Sequence, residues 1–213
     1  MIDFIHRYEQ AKAKQHPVGM TFQYKGGSNR TLLESPADWV SPNPEGGYRD
    51  DPPAADGKKV ILNDTDHLWG IGGNPAWVWR SFLRGLNPLF MDPYDGTVLP
   101  PGGSQWEPMR RALGYTLRVA RELNLAAMTP QNDLASTGYC LANTGKDAEY
   151  LLYLPSGGEV TVDLTASPGP LESRWLNTAD GNWQTAPPTA GGHRTRLRSP
   201  FAKEGLLWLR RRA

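Results

Sequence analysis

Asp64, Asp66 and His67 fall together in the stretch Lys59-Val60-Ile61-Leu62-Asn63-Asp64-Thr65-Asp66-His67-Leu68-Trp69-Gly70. Two carboxylates and an imidazole can move protons, accept hydrogen bonds from hydroxyl groups, or help to hold a cation. The Asp-x-Asp-His spacing lacks the His-x-x-x-His or cysteine partners that mark zinc, so no metal is expected; calcium on Asp and backbone oxygens is possible but unspecific. There is no phosphate-cradling Gly-x-x-x-x-Gly-Lys, no dinucleotide fingerprint and no Gly-x-Ser-x-Gly elbow, so neither a cofactor nor a serine hydrolase is expected. Asp92, Tyr94 and Asp95 form a second polar group, although an Asp-Pro-Tyr-Asp-Gly turn accounts for Asp95 and Gly96 equally well. Trp39 and Trp69 offer flat rings for stacking on a ligand, or plugs for the end of a fold.

Both polar groups follow short apolar runs. Val60-Ile61-Leu62 suits a strand buried on both faces, and Asn87-Pro88-Leu89-Phe90-Met91-Asp92 reads as another short buried strand. Polar residues at the C-terminal ends of parallel strands are where sites are built in α/β folds. Between the two runs, Asn74 and Pro75 are an N-cap and first-turn pair, and Trp77, Val78, Phe82 and Leu86 set a helical stripe. Trp106 to Leu123 gives the clearest helix, with Met109, Ala112, Leu113, Thr116, Leu117, Ala120 and Leu123 on one side. Upstream, residues 2–14 have helical spacing and residues 18–24 read as a strand. His16, at the N-terminal end of that strand, reads as structural. Residues 25–57, rich in Pro and Gly, read as one long connection covering the end of the sheet. The order is βα alternation.

From about residue 125 the helical period is lost. Segments such as Glu149-Tyr150-Leu151-Leu152-Tyr153-Leu154 and Val160-Thr161-Val162-Asp163-Leu164 are separated by Asn, Gly and Pro turns. About seven such strands predict an antiparallel β-sandwich. Trp175, Trp183 and Trp208 alternate with polar residues there and read as core. The expected division is therefore residues 1–124, α/β, and residues 125–213, all-β.

Bulk properties exclude several classes. A net charge of +1 over 213 residues gives no footprint for nucleic acid or an anionic membrane. No apolar run approaches the roughly 20 residues of a membrane span. The start has no signal-peptide pattern, and localisation is left unknown. One cysteine, Cys140, excludes an intramolecular disulfide.

Gln15-His16-Pro17-Val18-Gly19-Met20-Thr21, Ser35-Pro36-Ala37-Asp38-Trp39, Asn63-Asp64-Thr65-Asp66-His67-Leu68-Trp69-Gly70 and Phe90-Met91-Asp92-Pro93-Tyr94 resemble the last third of an apiosidase-like glycoside-hydrolase (β/α)8 barrel. Leu134 to Ala142 and Tyr153 to Leu164 are similar to the β-sandwich family labelled as the collagen-binding domain of a collagenase. The resemblance implies a partial barrel, strands six to eight, followed by the sandwich. It implies carbohydrate as partner, a polysaccharide or oligosaccharide, with collagen as a second candidate. Retaining enzymes of this kind place a nucleophile and an acid/base carboxyl about 5 Å apart. Asp64 then takes the nucleophile position on the seventh strand, with Asp66 and His67 as hydroxyl-binding or acid-orienting groups. Trp39, Trp69, Asp92 and Tyr94 become substrate-binding residues. Loop hydrogen bonding or turn capping explains Asp64 and Asp66 equally well. A barrel needs eight strands and roughly 250 residues. Its first five strands, and the general acid usual on the fourth, have no counterpart here. The expectation is a C-terminal fragment that is not catalytic alone, from truncation, a split gene or an internal start. Its open sheet edges would favour self-association, and relatives of this type are often exported. The alternative is a non-catalytic accessory sandwich that binds carbohydrate or collagen, or buttresses a barrel.

Overall fold

The structure, a computed structural model of the chain, describes residues 1–23, 27–92 and 103–211. It falls into two compact units, Met1–Gly73 with Leu86–Trp106, and Asn74–Gly85 with Glu107–Ala213. This division differs from a single cut at residue 124, because two helices that alternate with the first unit's strands in sequence belong to the second unit.

The first unit contains α1 (Ile2–Glu9), β1 (Gly19–Thr21), α2 (Asn29–Glu34), β2 (Trp39–Ser41), β3 (Val60–Asp64), α3 (Thr65–Trp69) and β4 (Asn87–Leu89). The strands form one parallel sheet in the order β1-β2-β3-β4. Gly19, Trp39 and Val60 share one register, and Asp64 pairs with Leu89. Side chains alternate across a strand, so Val40, Ile61 and Asn63 lie on one face and Val60, Leu62 and Asp64 on the other. The first face is closed: Val40 and Ile61 are buried, and the Asn63 amide donates to the Tyr48 carbonyl at 3.1 Å. On the second face Val60 is 52% and Leu89 43% exposed, so much of its apolar surface is in water.

Among the described residues the sheet has four strands where three were expected, and the additional one comes from the stretch that reads as a continuous loop. Residues 25–57 contain both α2 and β2. Trp39-Val40-Ser41 has one aliphatic residue and no alternation to announce a strand. It is held by parallel partners on both sides, which local sequence cannot show. α2 is a six-residue helix capped by the Ser28 hydroxyl, which accepts from the Thr31 amide. At the other end of the expectation, α1 stops at Glu9 instead of continuing to residue 14. None of its residues is buried, so the helix is held by polar contacts: the His6 ring to Asp38 at 3.0 Å, and the Glu9 carboxylate to the His16 ring at 2.8 Å.

The second unit contains α4 (Pro75–Leu83), α5 (Glu107–Glu122) and eight strands: β5 (Thr129–Pro130), β6 (Cys140–Asn143), β7 (Glu149–Leu154), β8 (Glu159–Asp163), β9 (Gly169–Asn177), β10 (Trp183–Gly191), β11 (Arg194–Arg198) and β12 (Gly205–Arg210). Six form an antiparallel sheet in the order β10-β9-β12-β7-β6-β5, and β8 pairs with β11 as a separate two-stranded sheet. One face of the large sheet packs Tyr150, Leu152, Leu207 and Leu209 against Val160 and Val162 of β8. The other packs Leu151, Tyr153, Leu206 and Trp208 against Trp79 and Leu83 of α4 and Val119 of α5. β7 is therefore buried along its whole length, which explains its unbroken apolar run. β8 alternates buried and exposed, as a strand with one wet face must. Trp175 and Trp208 are core residues. The second unit thus combines antiparallel sheets with α4 and α5, which cover one face of the large sheet.

Candidate functional site at the strand ends

The C-terminal ends of β1, β2, β3 and β4 lie side by side, because all four strands run the same way. Asp64 closes β3 and caps α3. Its side chain accepts from the Asp66 amide at 3.0 Å, and it is 9% exposed. Gly70 ends α3 with φ 72, a conformation easy only for glycine, and donates to the Asp66 carbonyl at 2.8 Å. This short, sharply bounded helix presents His67 toward β2 and β1. The His67 Nδ1 lies 2.8 Å from the Ser41 hydroxyl at the end of β2. The ring meets Phe22, just past β1, edge to face at 5.2 Å. From the fourth strand, the Met91 amide donates to the Thr65 hydroxyl at 3.0 Å. Residues from the ends of all four strands are thereby joined.

Asp64, Asp66 and His67 stay together at one strand end. Asp66 is exposed, and its carboxylate has no ion pair among the described residues. Trp69 closes α3 with its side chain against Gly72, where an added Cβ would lie 2.8 Å away. Asp92 follows β4 at the same end and is exposed. Tyr94 lies outside the described residues. Trp39 does not join this group. It starts β2, at the N-terminal end of the sheet, and its indole covers Gly19 so closely that a Cβ there would sit 1.9 Å from the ring. It lines a separate cavity of about 750 Å³ with His6, Glu9, His16 and Asp38.

Ser41, Thr65 and Phe22 were not singled out from the sequence. Ser41 and Phe22 become visible only once β2 is recognised and the ends of β1 and β2 are aligned with β3. Thr65 carried a signal, since it stands between the two acids, but its link to β4 depends on the fold.

The chemistry available here is that of carboxylates, an imidazole and hydroxyls. Asp64 is committed to a backbone amide through one oxygen, which fixes its carboxylate at the mouth of the strand ends. His67 is oriented through Nδ1, and its Nε2 has no hydrogen-bond partner among the described residues. Among the described residues no group of three His, Cys, Asp or Glu side chains is placed to hold a metal ion. The thiol of Cys140 is fully buried in the second unit, and burial pushes it up to about 12, so it is no nucleophile at neutral pH.

No family model matches the sequence, and no curated protein does. Among solved structures, the chain is similar to one described as a glycoside hydrolase, at 12% identity and a TM-score of 0.53 over 73% of this chain and 43% of that one. It is similar to a glycoside hydrolase family 5 protein from Bacteroides vulgatus ATCC 8482, at 14% identity and a TM-score of 0.53 over 73% and 42%. A noncanonic maltogenic alpha-amylase, AmyB, from Thermotoga neapolitana matches at 8% identity and a TM-score of 0.50 over 100% and 59%. The chain thus spans about two fifths of the length of the first two. At such identities the likeness is one of fold: the chain has a glycoside-hydrolase-like fold, built from a parallel sheet and antiparallel sheets.

Proposed function

We propose that the chain is the C-terminal part of a glycoside-hydrolase-like protein acting on polysaccharide, a partial (β/α)8 barrel followed by a β-sandwich, and that it is not catalytic alone. The observation that carries the proposal is the convergence of Ser41, Asp64, Asp66 and His67 at the C-terminal ends of a parallel sheet, in a chain with a glycoside-hydrolase-like fold. In this reading Asp64 is the carboxylate that attacks or stabilises the anomeric carbon. Asp66 and His67 hold sugar hydroxyls, and Trp69 and Asp92 contribute to the same surface. The general acid must come from strands beyond these four.

Two features support incompleteness. Four adjacent parallel strands are half of an eight-stranded barrel. The sheet face that would point into such a barrel leaves Val60 and Leu89 in water. The similar structures named above do not support the apiosidase-like and collagen-binding resemblances in particular, so the ligand proposed is carbohydrate. Trp39, placed at the opposite end of its strand, is not part of it.

The test is hydrolysis. The chain alone, and the chain expressed together with the coding sequence that precedes it, are assayed for reducing-sugar release on a panel of plant and microbial polysaccharides. Release only by the longer protein, abolished by Asp64→Asn, is expected. Release by the chain alone, or full activity of Asp64→Asn in the longer protein, would overturn the assignment.

A further inference from the structure

A second cleft, of about 710 Å³, lies wholly within the second unit. Its size falls in the range of ligand sites, about 300–1000 Å³. One wall is α5, bearing Arg111 and Tyr115, whose ring also packs against the core of the unit. The opposite wall is the loop between β11 and β12, bearing Phe201 and Lys203. The turn after β9 and the Glu204 side chain close it.

The polar groups in this cleft are unevenly satisfied. Glu204 accepts from the Tyr153 hydroxyl through Oε2 at 2.9 Å, which fixes the carboxylate; its Oε1 has no partner among the described residues. Tyr153 is itself fully buried, so this anchor is rigid. Arg111 contacts Glu107 through Nε at 3.2 Å, which leaves its terminal nitrogens available to a ligand. The Lys203 ammonium has no ion pair among the described residues. The cleft therefore offers two cations, one carboxylate held by Tyr153 with its Oε1 open to a donor, and two aromatic rings.

We propose that this cleft binds an acidic saccharide, a uronate residue or short uronate oligomer. The sugar carboxylate meets Arg111 and Lys203, a ring hydroxyl donates to Glu204 Oε1, and the apolar sugar face lies against Tyr115 or Phe201. An acidic peptide fits less well, because it brings carboxylates toward Glu204 and no hydroxyl donors. A neutral sugar would leave both cations unused. The inference rests on the carbohydrate reading above and adds a ligand class and a site in the other unit.

The experiment is calorimetric titration of the full chain with galacturonic acid trimer, its methyl ester, a neutral xylose trimer and a tri-glutamate peptide. Binding of the free-acid trimer, weakened at least fivefold by Lys203→Ala and by Arg111→Ala with unchanged circular dichroism, is expected. The ester, the neutral trimer and the peptide should each bind at least fivefold more weakly. Equal binding of any of these three, insensitivity to both substitutions, or no binding of the acid trimer would overturn the inference. Should hydrolysis by the longer protein persist while acid-sugar binding fails, only this inference falls. Acid-sugar binding without hydrolysis removes the hydrolase reading and leaves the cleft.

Discussion

Asp64 has two roles that a pair of substitutions separates: the cap of α3 and the carboxylate at the strand ends. The cap rests on one hydrogen bond, the Asp66 amide to Asp64 Oδ1 at 3.0 Å, at a residue only 9% exposed. Replacing an N-cap Asp by Ala costs about 0.5–2 kcal/mol, whereas Asn caps about as well as Asp. Asp64→Ala should therefore destabilise the first unit by about 1 kcal/mol. For a unit of some 60–100 residues this corresponds to about 4–8 °C in Tm. Asp64→Asn should stay within a few tenths of a kcal/mol. Both variants lack the carboxylate, so both should lose hydrolysis in the longer protein, although only one loses stability. The assays are thermal unfolding of the chain, read for the first unit by the amide NMR signals of Asp66 and His67, and sugar release by the longer protein. Equal destabilisation by Asn and Ala would refute the capping argument. Activity in Asp64→Asn would refute the chemical one.

Other consequences can be checked on the chain itself. Gly19→Ala places a Cβ 1.9 Å from the Trp39 ring and should cost about 1–3 kcal/mol by overpacking, with relief in the double variant carrying Trp39→Ala; an unchanged urea midpoint for Gly19→Ala would count against that packing. Glu149 is buried and accepts from the Trp208 indole at 2.9 Å and the Asn124 amide at 3.0 Å. Glu149→Ala should cost the second unit roughly 1–3 kcal/mol, mostly from the stranded indole N–H, and a melt matching wild type would show the bond to be dispensable. Asp38 is held below the usual carboxylate range, first by the Val18 amide at 2.7 Å and then by the His6 ring. A depressed carboxylate contributes stability that is present above its unfolded value, near 4, and is lost as pH falls through its lower folded value. The first unit should weaken below about pH 4, and Asp38→Asn should flatten that acid limb. An unchanged pH slope in the variant would remove Asp38 from the account.

Which parts of this fold the sequence revealed follows from where its signals come from. α4 and α5 were legible because the Asn74-Pro75 start and the stripe from Met109 to Leu123 are local patterns. The strands from Cys140 to Arg210 were legible because turns punctuate an alternating or continuous apolar run. The two helices' partner was not legible. A stripe says that a face is buried and not against what, and here the partner is the sheet carrying Tyr153 and Leu206. β2 was hidden because three residues carry too little pattern, and its pairing with β1 and β3 is the whole of its stability argument. That omission also misplaced Trp39. Read as part of a loop, Trp39 could reach any site; as the first residue of a parallel strand it is confined to the end away from Asp64. The cluster of Asp64, Asp66 and His67 was legible as a strand end, and its capping alternative is met by the geometry. The Ser41 contact that orients His67 was not, since it needs two strands in register.

The most direct measurement on the central claim is sugar binding at the strand ends of the first unit, read by amide and imidazole NMR shifts during titration with oligosaccharides. The account predicts shifts concentrated on Ser41, Asp66 and His67, lost in His67→Ala, with no sugar released by the chain alone. Shifts absent from these residues across the oligosaccharide panel, or confined to the cavity beside Trp39, would contradict it.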